Sequence, residues 1–210
     1  MTSLNRIPDT LDWGLLLPVE DAVIVQLGAN DGMACEEYGL NRCLKQQNHM
    51  AILVEPMSGA FANLALNYAH AASRLHFENL AIAHDRGTGK ARLYLSGVES
   101  SLVRHRPGHE DDHEVVRLET FQYLIDKYRL THLDAVFMDI EGLEYNVIKD
   151  ILENCTIQPN FFRYEFLLSD NIEGLDQLLM DHGYMVFMDA THKGDKIAVM
   201  KDVYERLSIL

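Results

Sequence analysis

Four short segments carry side chains able to do chemistry together: Gly28-Ala29-Asn30-Asp31-Gly32, Glu55 within LVEP, Asp139-Ile140-Glu141-Gly142, and Glu165 within RYEF. The glycine segment follows an apolar run and precedes helical spacing, the position where an α/β chain offers backbone amides to a nucleotide-type cofactor. Its spacing is not GxGxxG. Asn30 and Asp31 replace small residues and put an anion where a pyrophosphate would approach, so a dinucleotide is disfavoured. S-adenosylmethionine has no phosphate and carries an ammonium, a carboxylate and a cationic sulfonium, which an acidic glycine loop matches electrostatically. A carboxylate at Glu55 can accept hydrogen bonds from both hydroxyls of an adenosine ribose and would repel a 2′-phosphate. The structural alternative is that Gly28 and Gly32 only turn the chain and that Glu55 is a solvated strand-end carboxylate.

Asp139 and Glu141 end a buried run, LDAVFM, and in extended chain they point to one side, so two carboxylates would share a cleft. Either could take a proton from a reacting hydroxyl. The competing role for either is helix capping. Glu144 and Tyr145 follow near the start of the next helix, where the positive end of the helix dipole steadies an anion. Glu165 could complete a carboxylate cluster or pair instead with Arg163 or a surface lysine. His105, His109 and His113 recur every four residues, but Pro107 and Gly108 interrupt any helix there, and a solvated loop is the better reading.

The elements that must position these groups alternate along the chain. Residues 22–27 (AVIVQL), 50–54 (MAILV), 75–82 and 133–138 read as buried strands. Residues 33–45, 58–70, 120–128, 143–152 and 172–182 read as helices, with Ser58 and Thr120 as N-caps and Gly183 as a C′ residue. Residues 85–96 give an added strand through the alternation of Ala91, Leu93 and Leu95, and residues 114–118 and 161–166 give two more. Residues 97–112 (GVESSLVRHRPGHEDD) read as a loop covering a substrate. Residues 184–188 and 196–200 flank a polar turn and close the chain as an antiparallel hairpin. Such βα repetition makes an open three-layer α/β sheet whose ligands lie beyond the carboxyl ends of the strands.

The chain has 210 residues, enough for one domain, with residues 1–20 as an N-terminal extension. Its 18 basic and 32 acidic side chains leave a net charge of −14 without any basic cluster, which argues against a nucleic-acid partner. Cys35, Cys43 and Cys155 are odd in number and form no CxxC, so neither a disulfide framework nor a cysteine zinc site is indicated and a cytoplasmic location fits. No signal peptide and no membrane-spanning run is read. A homodimer is left open.

Taken in order, VIVQLGANDG, LVEP, HFENLAIA and LDAVFMDIEGLEYNVIKDI resemble the FkbM family of S-adenosylmethionine-dependent methyltransferases, over about residues 23–165. The resemblance implies a three-layer Rossmann-like class I methyltransferase fold, a mostly parallel seven-stranded sheet with an antiparallel last strand. It implies that Gly28, Asn30 and Asp31 hold the methionine portion and Glu55 the ribose. Asn79 to Ala81 would lie beside the adenine, and Gln26, Pro56, Ser101 (or its neighbour Ser100) and Asp139 would complete the cofactor set. It also implies methylation of oxygen, with a sugar or polyketide-type hydroxyl as acceptor and Asp139 or Glu141 as base. Mg²⁺ on Asp139, Glu141 and Glu165 is the alternative way to acidify that hydroxyl. Two other readings compete: a non-catalytic module binding an adenosyl ligand, and a methyltransferase acting on protein.

Overall fold

Val23–Leu27 is β-branched and apolar enough to be covered on both faces, and it forms the centre of the sheet. The computed structural model describes residues 9–33, 40–71, 73–84, 89–96, 100–103, 112–168 and 171–207. Its strands are β1 (Thr10–Leu11), β2 (Val23–Leu27), β3 (Met50–Val54), β4 (Leu75–Glu78), β5 (Ala81–Ile82), β6 (Lys90–Tyr94), β7 (His113–Glu119), β8 (Ala135–Met138), β9 (Phe161–Glu165), β10 (Tyr184–Asp189) and β11 (Asp195–Met200). Its α-helices are α1 (Leu40–Gln46), α2 (Ser58–Asn67), α3 (Phe121–Tyr128), α4 (Glu144–Asn154), α5 (Ile172–Asp181) and α6 (Lys201–Leu207).

The main sheet runs β4-β3-β2-β8-β9-β11-β10-β1. Strand β2 pairs in parallel with β3 on one side and with β8 on the other. Chain order reverses between those neighbours, so the crevice for a ligand opens at the carboxyl ends of β2 and β8. Strand β11 is antiparallel to both β9 and β10.

Alternate residues face opposite layers, as the period of two requires. Val25, Leu27, Val136, Met138 and Phe162 pack against α3, α4 and α5. Ile24, Ala51, Leu53, Phe137 and Phe161 pack against Trp13, α1, α2 and α6. The structure is thus the three-layer sheet expected, and Gly183 follows α5 with φ +84° in the C′ role read for it.

Several expectations need correction. Among the described residues the main sheet has eight strands rather than seven. The additional one, β1, sets Thr10 and Leu11 opposite Met188 and Asp189 in parallel, and two residues are too few to show alternation. It is anchored nearby by Trp13, 5 % exposed, whose ring meets Phe137 edge-on at 5.0 Å between centroids. The strand read over 75–82 is two: after β4 the chain leaves the main sheet at Asn79, and β5 joins a second sheet of order β5-β7-β6. The helix read over 58–70 stops at Asn67 and continues as one 3-10 turn over Ala69–Ala71. Ser58 is the first helical residue rather than the cap, and its hydroxyl bonds Glu114; Thr120 is at the cap position but makes no side-chain cap bond. The chain does not end on its hairpin, because α6 follows directly. Residues 34–39 of the first helix and most of the 97–112 loop lie outside the described residues.

Burial of Trp13 ties the N-terminal segment to the core. Trp13→Ala is expected to lower the stability measured by urea unfolding by about 3–5 kcal/mol. A loss below about 1 kcal/mol would show that the segment is not part of the cooperative unit.

Candidate functional site

The loop after β2 is shaped by contacts to its neighbours. The amides of Gly28 and Ala29 both donate to the Val54 carbonyl, at 3.0 and 2.9 Å. Gly28 has φ +78°, and a side chain there would overlap the Asp139 carbonyl, so only glycine fits. Asn30 takes the left-handed conformation that asparagine tolerates, φ 48°, and its side chain accepts from the Asp31 amide at 2.7 Å. Asp31 in turn accepts from the Met33 amide at 2.8 Å.

Glu55 is buried at the end of β3, and its two oxygens accept from the amides of Asn30 and Met57, each at 2.8 Å. It is therefore not the solvated strand-end group of the structural alternative. Burial pushes its pKa up while the two amide bonds pull it back. Asn79 donates to the carbonyls of Glu55 and Pro56, at 3.0 Å each, closing the end of β3 against the end of β4.

Two pockets open on opposite faces of this point. One is lined by Pro56, Leu80, Ala81, Ser101, Ile140 and Leu143. The other is lined by Gln26, Asn41, Tyr68, Phe137, Asp139 and Arg163. Of the expected cofactor set, Gln26, Gly28, Asn30, Asp31, Glu55, Pro56, Asn79 and Asp139 lie at or just beyond the carboxyl ends of β2, β3, β4 and β8, Ala81 begins β5, and Ser101 faces them from the loop after β6. The Ser101 hydroxyl is already engaged, donating to the Glu141 carbonyl at 2.7 Å and accepting from the Val103 amide at 3.0 Å.

Asp139, Glu141 and Glu165 come together, each offering a carboxylate oxygen within 4.8 Å of the others. They do not do so through extended chain as the sequence suggests. Glu141 has φ 57°, so a left-handed turn, rather than the strand alternation, returns its side chain to Asp139. Asp139 Oδ1 and Glu165 Oε2 are buried and have no hydrogen-bond partner among the described residues. Burial, then the charges of Asp139 and Glu141, push Glu165 up to about 8. Burial and Asp195 raise Asp139 as well, while the charges of Arg163 and His192 act in the opposite direction. Neither Asp139 nor Glu141 caps α4, whose cap position is Leu143.

Arg163 is the group the sequence reading missed. It is not the partner of Glu165: it lies buried on β9 and binds Asp189 at 2.6 Å and Asp195 at 2.5 Å, over the ring of Phe137. Lys196 pairs with Asp176 at 2.5 Å. The available signal was a guanidinium inside the apolar run FFRYEF, with one aspartate at each end of the hairpin turn. A buried cation requires such partners. Of the three histidines, His105 and His109 lie outside the described residues and His113 stands on β7, so they share no helix.

Among the described residues no helix is long and apolar enough to cross a membrane. The fold is the Rossmann-like one of class I methyltransferases. The methyltransferase FkbM of Methylobacillus flagellatus KT superposes with a TM-score of 0.54 at 15 % identity, over 89 % of this chain and 45 % of that one. The METTL16 methyltransferase domain superposes with a TM-score of 0.55 at 8 % identity, over 89 % of this chain and 62 % of that one. Residues 26–186 match the methyltransferase FkbM domain, and the chain belongs to that family. It spans under half the length of the Methylobacillus protein. No curated protein matches it in sequence.

With Glu165 raised from 4.5 to about 8 and Glu144 from 4.5 to about 7, the folded protein holds protons that the unfolded chain has released. This contribution to stability is complete below the ordinary carboxylate range and is lost as pH rises through the raised values. The Tm of the wild type is expected to fall between about pH 4.5 and about pH 8, and Glu165→Gln is expected to flatten that fall and raise Tm at the alkaline end. A Glu165→Gln profile parallel to wild type would mean that Glu165 ionises in the fold without strain.

Proposed function

We propose that this domain transfers a methyl group from S-adenosylmethionine to a hydroxyl oxygen of a small molecule, a sugar or polyketide-type compound. Membership of the FkbM family supports methyl transfer. The observation that carries the site assignment is the convergence of Asp139, Glu141 and Glu165 beside the glycine loop. The residues fit a cationic cofactor: the buried, unpartnered Asp139 Oδ1 lies in a cleft with Gln26, and Asp31 adds a further anion on the loop. Pro56, Leu80, Ile140 and Leu143 offer an apolar slot for the adenine, with Asn79 and Ala81 at its edge. Glu55 retains lone pairs for the ribose hydroxyls, and the Gly28 to Asp31 backbone receives the methionine portion.

When bound, S-adenosylmethionine supplies a methyl group on a sulfonium sulfur, open to displacement in line. The chain's own contribution is to hold the acceptor oxygen behind that methyl, worth up to about 7–11 kcal/mol, and to take its proton on Asp139 or Glu141, worth roughly 10²–10⁴-fold. A second reading of the same cluster follows from its spacing. Three hard oxygen donors within 4.8 Å of one another suit Mg²⁺, which would acidify the hydroxyl it bound. The described residues are taken as a single domain that includes the N-terminal segment.

Calorimetry with S-adenosylmethionine, S-adenosylhomocysteine and NAD⁺ tests the cofactor. Both adenosyl ligands are expected to bind and NAD⁺ is not. Glu55→Ala is expected to abolish binding and Glu55→Gln to weaken it less, because the amide keeps one acceptor for the loop. Asp139→Asn is expected to lower turnover by roughly 10²–10⁴-fold while changing cofactor affinity by less than about tenfold. Preference for NAD⁺ would overturn the reading. Adenosyl binding without transfer to hydroxylated sugars or polyketides, with or without Mg²⁺, would favour the binding-module or protein-acceptor alternatives.

A further inference from the structure

We infer that Glu144, together with Ser101, is the positioning element of the carboxylate site: it clamps the turn that carries Glu141 and so keeps three like-charged side chains side by side. The inference rests on the functional reading above only for the use to which the cluster is put.

Glu144 is 1 % exposed at the first position of α4. Its two oxygens reach back out of the helix, Oε1 accepting from the Ile140 amide and Oε2 from the Gly142 amide, each at 3.0 Å. Neither amide belongs to the first turn of α4, so these bonds are not a helix cap. The peptide that joins Glu141 to Gly142 is held at both ends. Its N–H is bound by Glu144 and its carbonyl by the Ser101 hydroxyl at 2.7 Å.

That peptide sets where the Glu141 side chain goes. A left-handed backbone is strained for a residue other than glycine, and Glu141 at φ 57° bears that strain beside the carboxylates of Asp139 and Glu165. Without the clamp, both effects favour swinging Glu141 back to ordinary backbone and out toward water. The clamp requires an acid at 144. A glutamine would present one acceptor and one donor to two N–H groups, and alanine would leave both amides unbonded in the interior. Ser101 supplies the second hold from the loop between β6 and β7, which links that loop mechanically to the base.

The test is a crystal structure of Glu144→Ala, with Ser101→Ala as the milder variant should the first fail to fold. In Glu144→Ala, Glu141 is expected to leave the left-handed region and its carboxylate to move away from Asp139 and Glu165. Ser101→Ala is expected to speed hydrogen exchange of the Gly142 amide while Tm changes little. Kinetics with a hydroxylated sugar or polyketide that the wild type methylates are expected to show kcat reduced about 100-fold in Glu144→Ala, as misplacement by an ångström does, with KM for S-adenosylmethionine nearly unchanged. Glu141 unmoved in Glu144→Ala, or an equal loss in kcat and in cofactor affinity, would overturn the proposal and leave Glu144 a packing residue. If the wild type itself transfers no methyl group, the functional reading fails while the crystallographic comparison still decides the clamp.

Discussion

The carbonyl of Asp139 occupies the space that a side chain on residue 28 would need, and the site depends on that contact. The Asp139 amide also donates to the Leu27 carbonyl at 3.1 Å, so β2 and β8 stay paired to their last residues before the chain leaves both. From one point the glycine loop turns toward β3 and the Asp139 turn toward α4. The two pockets lie on either side of this seam, the apolar one with Leu80 and Ile140 and the polar one with Gln26 and Arg163. One backbone contact therefore fixes the distance between the glycine loop and the carboxylates after β8.

Around that seam the charge does not balance locally. Asp139, Glu141, Glu165, Asp189 and Asp195 gather near a single buried guanidinium, Arg163, which is itself committed to Asp189 and Asp195. Arg163 and its partners form a floor under Phe137, while burial and the charges of Asp139 and Glu141 push Glu165 up to about 8, so that it is the member of the remaining three inclined to hold a proton. A cleft with this surplus attracts cations and disfavours phosphates. The same sign runs through the whole chain, whose net charge is −14.

Local pattern carried much of this architecture. The apolar runs of β2, β3 and β8 are readable because both faces of each strand are buried, and the helices of the α3, α4 and α5 layer because one stripe of each meets the sheet. The glycine loop, Glu55, Asp139, Glu141 and Glu165 stand out because strand ends in such sheets face the crevice. What escaped reading depends on distant partners. Strand β1 exists because Met188 and Asp189 offer it an edge and Trp13 finds Phe137, 124 positions away by the numbering of the two residues. Arg163 becomes a structural cation only when the hairpin brings two aspartates to it. Helix α6 lacks a turn between it and β11 that would announce it. The extended-chain argument for Asp139 and Glu141 failed for a related reason: the conformation of Glu141 is set by bonds from Ser101 and Glu144, not by the strand before it.

The chemistry of residue 144 then follows from backbone geometry. A left-handed residue flanked by a strand end and a glycine turns two part-buried amides, those of Ile140 and Gly142 on either side of it, toward the same small volume. Only a group with two acceptor oxygens and no donor can satisfy both. Burying a carboxylate to do so is costly and pushes its pKa up to about 7, while the bonds from the Ile140 and Gly142 amides act in the opposite direction. An acid placed shortly after a pair of strand-end carboxylates is thus explained without assigning it a role in catalysis: it is the side chain that the turn itself demands.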